Sequence, residues 1–148
     1  MARDVVWLQK LAAAYHDPLR EPDLPLANDA TTPDFDRRSA IVAQVHNLAE
    51  NEPEDCWLVI QMACELPLSD EQIGLLGAYA FEQLMHEHGL GLINRVEAAA
   101  HENPTLRKVV DSVWTKGMDQ GVIRGIKAIK ASPHPRNDPA SPGSTSIA

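Results

Sequence analysis

The sequence predicts an all-α protein of about six to eight helices, stacked as antiparallel hairpins in a solenoid-like manner. Three observations carry this. Apolar residues recur at three- and four-residue steps along nearly the whole chain, the mark of a buried helix stripe. A capping residue followed by proline opens more than one of these stretches, as at Asn103-Pro104. No period-two alternation of useful length occurs, so a sheet is not expected.

The first helix is marked by Val5, Leu8, Leu11, Ala12 and Tyr15, with Trp7 off the stripe and facing a partner or a neighbouring element. Pro18, Pro22, Pro25 and Pro33 then break regular structure, which makes residues 16–33 a proline-rich connector. Leu19, Leu24 and Leu26 are expected to pin it to the core. A second helix starts near Pro33 and Asp34, with Thr32 as its cap, and runs through Ile41, Val45 and Leu48. Asn51-Glu-Pro53 ends it and starts a third, because proline lacks only an N–H that the first helical turn does not use. Trp57, Ile60 and Cys64 form one face of that helix, and Pro67 stops it. A strand over Trp57–Ile60 is the rival, but the span from Pro53 to Pro67 suits a helix better.

Ser69-Asp-Glu-Gln72 has capping-box spacing. Ile73, Leu76, Ala80, Phe81, Leu84 and Met85 continue the stripe, and Gly89 is placed to end this helix. Leu92, Ile93, Val96, Ala99 and Ala100 mark the next, and Leu106, Val109, Val110, Val113 and Trp114 one face of the helix after Pro104. Gly117 closes that helix, Asp119 caps the last one, and Ile123, Ile126 and Ile129 stripe it. Val42, Val45, Ala49, Pro53 and Val59 recur as Ile93, Val96, Ala100, Pro104 and Val110, a faint echo of helix, proline turn and helix. Residues 1–130 thus read as one helical domain. From 131 to 148 the chain is rich in Ser, Pro, Gly and Asn and reads as a disordered tail.

The formal net charge is −8, and it is unevenly spread. Residues 1–33 sum to 3 − 5 = −2, residues 34–102 to 3 − 13 = −10, and residues 103–148 to 7 − 3 = +4. An acidic body repels nucleic-acid phosphates and speeds encounter with a basic protein. The longest strongly apolar stretch, Cys56–Cys64, is well short of the ~20 residues of a membrane span. With no secretory signal read at the N-terminus, a cytoplasmic protein with no membrane contact is expected.

The chemistry-bearing residues are few. A helix sets His86 and His88 about 200° apart, so they do not share one ion; Glu82 and His86 have the spacing of half a site without a second half. No metal and no cofactor is expected. Cys56 and Cys64 stand about 12 Å apart along a helix, beyond disulfide reach, and suit buried positions. Phosphate-loop, nucleophile-elbow and dinucleotide motifs are absent. Gly117, Gly121 and Gly125, four apart, suggest close packing or a loosened last helix. Arg124, Lys127 and Lys130 line one side of that helix, as a solvated face or a phosphate contact. Glu50, Glu52, Glu54 and Asp55 beside Trp57 form an acidic cluster; capping and burial explain part of it, and docking onto a basic partner is its functional reading.

In series, Glu54-Asp-Cys-Trp57, Phe81-Glu82-Gln-Leu84-Met85 leading to His88-Gly89, Ile93-Asn-Arg-Val-Glu97, Asn103-Pro104-Thr-Leu106-Arg107 and Val113-Trp114-Thr-Lys-Gly-Met118 resemble a bacterial family of small helical domains catalogued only as a domain of unknown function. The resemblance covers about Ala40 to Ile126. It implies helices carrying Trp, Leu-Glu-x-Leu-Leu…His-Gly and Pro-x-x-Arg…Val-Trp, and it singles out Glu82, His88 and Arg107 as a polar network between helices or the lining of a cleft. Where the family often has Gly-Pro before the Leu-Glu pair, this chain has Tyr79-Ala80, which removes a break and would fuse two helices.

The function expected from these readings is a non-catalytic protein-binding module. In concrete form it is an immunity-type protein that neutralises a bacterial toxin, its partner bearing a basic surface. Two alternatives stand beside it: a small-molecule-binding protein or enzyme built around Glu82, His88 and Arg107, and a nucleic-acid-linked regulator using the basic last helix.

Overall fold

The computed structural model describes residues 4–26 and 37–133. Those residues form an all-α fold with no strand among them. The Asp4 carboxylate accepts the Val6 N–H and opens α1, Val5–His16. Leu8, Leu11, Ala12 and Tyr15 are buried on its inner face, whereas Val5 is 52% exposed, since the first turn overhangs the core. After a short 3-10 turn, Pro18–Arg20, the connector lies back on the domain. Leu24 and Leu26 are buried as expected, but Leu19 is 84% exposed, because the turn projects it outward. Backbone carbonyls hold this stretch: Arg37 donates to Glu21 O and Leu24 O, and the Trp7 indole N–H to Pro25 O. That bond is the role found for Trp7.

The second helix, α2, is described over Arg37–Asn51 and buries Ile41, Val45 and Leu48. The start expected near Pro33 and Asp34, with Thr32 as cap, lies outside the described residues, as do the connector from 27 onward and the tail from 134. Glu52 alone separates α2 from α3, Pro53–Ala63, which proline opens at its first position. The echo seen in the sequence is real at this level, since Asn103 alone separates two later helices in the same way.

Ser69 forms the expected capping box: its Oγ accepts the Gln72 N–H, and the Gln72 side chain accepts the Ser69 N–H. The Gln72 amide nitrogen also donates to Tyr15 O and His16 O, and the Tyr15 hydroxyl donates to Gln72 O, which fastens α1 to this cap. Burial, and then Cys64, push the Tyr15 hydroxyl well above its ordinary pKa.

From Asp70 the helix does not stop until Glu102. It runs as α4, Asp70–Leu75, then a π-helical segment, Leu76–Phe81, then α5, Glu82–Glu102. The Glu82 N–H donates to Gly77 O, the five-residue reach of a π turn. The fusion expected at Tyr79-Ala80 therefore occurs, with a π turn at the join. Gly89 does not end a helix. The stripe Leu84, Met85, Leu92, Ile93, Val96 and Ala100 is continuous and buried, and it outweighs the weak helix propensity of one glycine. His88, expected in a last turn, consequently sits in mid-helix. Gly91, exposed on α5 with nothing within 4 Å of an added Cβ, has no packing reason to be glycine. Gly91→Ala is expected to raise stability by about 0.5–1 kcal/mol, read as a higher urea midpoint at unchanged slope.

Asn103 caps α6, Pro104–Asp111, through the N–H groups of Thr105 and Leu106. Asp119 caps α7, Gln120–Ala131, through the Gly121 N–H. Between them Gly117 takes φ +86°, the only described residue with positive φ, so the turn there favours glycine. The four-residue glycine spacing is a packing device. A Cβ on Gly117 would stand 3.1 Å from His86 Nε2, one on Gly121 3.0 Å from Leu90 Cδ2, and one on Gly125 would collide with the Ile93 side chain. In return, Gly89 of α5 receives Val122, whose methyls would lie 2.7 and 2.9 Å from an added Cβ. The partners 117/86, 121/90 and 125/93 advance together, so α7 runs alongside α5 in the same direction. The run from Leu76 to Glu102 contacts α2, α3, α6 and α7 and forms the spine of the core.

Candidate functional site

Between residues 39 and 102 the chain holds eleven carboxylates and a single Lys or Arg, Arg95. The start of α3 contributes several of the carboxylates. Glu54 and Asp55 occupy its first turn, where the helix dipole favours negative charge. Glu54 reaches across to α5 and accepts two hydrogen bonds from Arg95, at 2.9 and 2.6 Å. These guanidinium bonds hold the Glu54 carboxyl below the usual glutamate range. Glu50, at the end of α2, is exposed and pairs with His46 at 3.7 Å. Glu52 is half-buried.

The other two members of the expected docking cluster are not on the surface. Asp55 is 7% and Trp57 4% exposed. Both α1 and α2 pack on α3, so its buried arc is broad and takes in Cys56, Trp57, Val59, Ile60 and Ala63. Trp57 is a core residue, and Glu50 and Glu54 are the members of the cluster left exposed.

The Glu54–Arg95 pair is shared by two surface grooves. One, of about 660 Å³, lies between α3 and α5 over Leu58 and Ala98. The other, of about 500 Å³, is lined by His86, Glu87, His88 and Asp119 as well as by the pair, where α5 meets the starts of α3 and α7. His88 Nε2 lies 3.2 Å from Glu50 O, which ties the end of α2 to the rim of this second groove. Its polar lining holds three carboxylates, Glu54, Glu87 and Asp119, and its one guanidinium is already engaged.

Glu82, His88 and Arg107 each join helices, but they do so separately. Glu82 Oε1 accepts the Trp114 N–H at 3.0 Å and holds the α6–α7 loop against α5. His88 reaches α2. Arg107, only 3% exposed, donates to Asp111, Lys130 O, Pro133 O and Ser132 Oγ, and so clamps the end of α7 to α6. Among the described residues no hydrogen bond links one of the three to another, and the groove that His88 lines includes neither Glu82 nor Arg107. Among the described residues the three sit at separate helix junctions, with Arg107 under the far end of α7.

Trp114 departs from the sequence expectation. The periodicity puts it on a face with Val109 and Val113, yet it is 77% exposed while both valines are buried. α6 ends at Asp111, so Trp114 lies in the loop and escapes the helical periodicity. Arg124, Lys127 and Lys130 are exposed on α7, and Lys130 Nζ also donates to Val113 O. Cys56 and Cys64 are free and buried. Burial raises both thiols, Cys64 to about 12 and Cys56 further, which suits apolar packing and opposes formation of a thiolate. Among the described residues no group of three metal-binding side chains gathers, and no helix is long and apolar enough to cross a membrane.

The Glu54–Arg95 pair carries a pH prediction. A carboxyl held low in the folded state adds stability that is present above its ordinary pKa of 4.5 and lost as pH falls through the lowered value. Glu54 is 70% exposed, so the contribution is small. Arg95→Gln is expected to be slightly less stable than the parent at neutral pH, with the gap closing under acid, as read from urea midpoints over a pH series.

No curated protein and no solved structure matches the chain. Residues 32–134, which take in α2 to α7 but not α1, match the model of a family of unknown function, DUF6869, and the chain belongs to that family.

Proposed function

We propose that the protein is a non-catalytic protein-binding module that meets a basic surface of another protein at the groove between α5 and the starts of α3 and α7. The observation that carries this is the charge of that groove: Glu54, Glu87 and Asp119 line it, and Arg95, its one guanidinium, is held by Glu54. A lysine or arginine of a partner would find carboxylates there. The surrounding acidity would steer the encounter at low salt. Burial of both cysteines is consistent with a binding role. The finer form of the proposal is an immunity-type protein of the bacterial cytoplasm that neutralises a toxin by covering it.

Affinity capture with mass spectrometry at low and high salt tests the reading, with Glu87→Lys as the comparison, since Glu87 is exposed and outside the core. The expected result is a basic protein recovered at low salt, depleted at high salt and lost with Glu87→Lys. For the finer form, expression of that partner alone should arrest growth, and co-expression of this chain, but not of Glu87→Lys, should restore it. Recovery of no partner at low salt, or capture indifferent to salt and to Glu87→Lys, would overturn the proposal.

A further inference from the structure

The wall that α5 gives to the acidic groove has a gap at its centre. Glu87, Gly91 and Arg95 line it at four-residue steps, so they follow one another along a single face of the helix. Gly91 is exposed, and nothing lies within 4 Å of a Cβ added there. Other glycines of this region are explained by contact: Gly89 by Val122, Gly121 by Leu90 and Gly125 by Ile93. Gly91 makes no such contact and still weakens the helix as any interior glycine does. What its missing side chain leaves is a bare strip of backbone between Glu87 and the Glu54–Arg95 pair. Leu90, which is 62% exposed, flanks that strip in the same groove.

The groups around the strip fit one kind of occupant. Glu87 Oε2 accepts from the Gln83 amide and Asp119 Oδ1 from the Gly121 N–H, and among the described residues the second oxygen of each takes no hydrogen bond from the chain. Glu54, by contrast, spends both oxygens on Arg95. Single carboxylate oxygens suit the compact ammonium of lysine, whereas the planar fork of arginine pairs best with both oxygens of one carboxylate. The aliphatic stem of lysine lies along apolar surface while its head stays among polar groups. Bare glycine backbone beside Leu90 is such a surface. We infer that Gly91 is the seat of a lysine side chain from the basic partner, its stem laid over the backbone beside Leu90 and its ammonium turned to Glu87 and Asp119. This rests on the groove reading proposed above, and it adds the residue type received and the position that admits it.

Titration of the full chain at low salt with an acetylated, amidated tetralysine peptide tests it, read from backbone amide shifts in NMR spectra. The expected result is saturable shifts centred on Glu87, Gly91 and Asp119, with weaker binding of a tetra-arginine peptide of the same form. Gly91→Leu leaves every charge in place and fills the strip. It is expected to weaken the fitted affinity severalfold without lowering the urea midpoint. Asn94→Leu adds the same side chain at an exposed position of α5 that does not line the groove, and it is expected to bind as the parent does. Equal affinity of the parent and Gly91→Leu, equal weakening by Asn94→Leu, or tighter binding of the arginine peptide would overturn the inference and leave the acidic groove standing as a docking site. A lower urea midpoint for Gly91→Leu would overturn it as well, because the space would then belong to the fold. So would an absence of shifts at these residues in the parent, and capture with Glu87→Lys then decides separately whether the groove meets a partner at all.

Discussion

Arg107→Leu is expected to lower the stability of the protein by about 2–4 kcal/mol. Leucine preserves much of the apolar stem and removes all of the donors. The carbonyls of Lys130 and Pro133 lose their guanidinium partner, and Asp111 loses an ion pair at 3.2 Å. Asp111 is 36% exposed and can turn to water, which keeps the cost below that of stranding a fully buried charge. The loss should appear as a lower urea midpoint at unchanged slope. Hydrogen exchange should quicken first in the last turn of α7, because that turn is what Arg107 holds. A change within about 0.5 kcal/mol, the range of ordinary surface substitutions, would show that the clamp contributes nothing.

Gly125→Leu is expected to cost about 2–3 kcal/mol by overpacking. In an open helical position the same change would stabilise, since glycine is the poorer helix former by nearly 1 kcal/mol. Here a Cβ alone already collides with Ile93, so α7 would have to move away from α5 and uncover Val122 and Ile126. The pair Gly125→Leu with Ile93→Ala makes the argument specific. Each single change should destabilise, and the double should be better than their sum by about 1–2 kcal/mol, because the leucine fills the space the isoleucine leaves. Strict additivity would place the strain elsewhere. The contrast with Gly91→Ala, which should stabilise, separates glycines kept for contact from one that touches nothing.

Local chemistry made much of the fold legible. Ser69 with Gln72, Asn103 with Pro104, Asp119, and Pro53 at a helix start all did what their residue types dictate within one turn of the backbone. The failures lie where a tertiary contact decides. Gly89 has the composition of a helix end, but Val122, 33 residues later in the chain, occupies the space over it. Leu19 is apolar and exposed because a turn points it outward. Trp114 continues the spacing of a stripe whose helix has already ended at Asp111. At the site, the acidity was plain from composition, and the bidentate bond between Glu54 and Arg95 was not, because the two residues are 41 positions apart with no pattern joining them. Trp57 drew notice beside four carboxylates, and the breadth of the buried face of α3 removed it. Arg107 was recognised through family resemblance; its main partners are backbone carbonyls, which no side-chain pattern can mark.

The π turn from Leu76 to Phe81 gives the chain a place to change length. A π turn is an α-helix with one residue too many, absorbed by widening a single loop of backbone. Dropping one residue there would turn the run from Asp70 to Glu102 into an ordinary helix and leave the parts before and after the join facing nearly as they do now. The capping box on Ser69, fastened to α1, would keep its neighbours, and so would the part joined to α6 and α7. One-residue insertions and deletions among related chains should therefore gather at this segment, where the packing on either side can stay as it is.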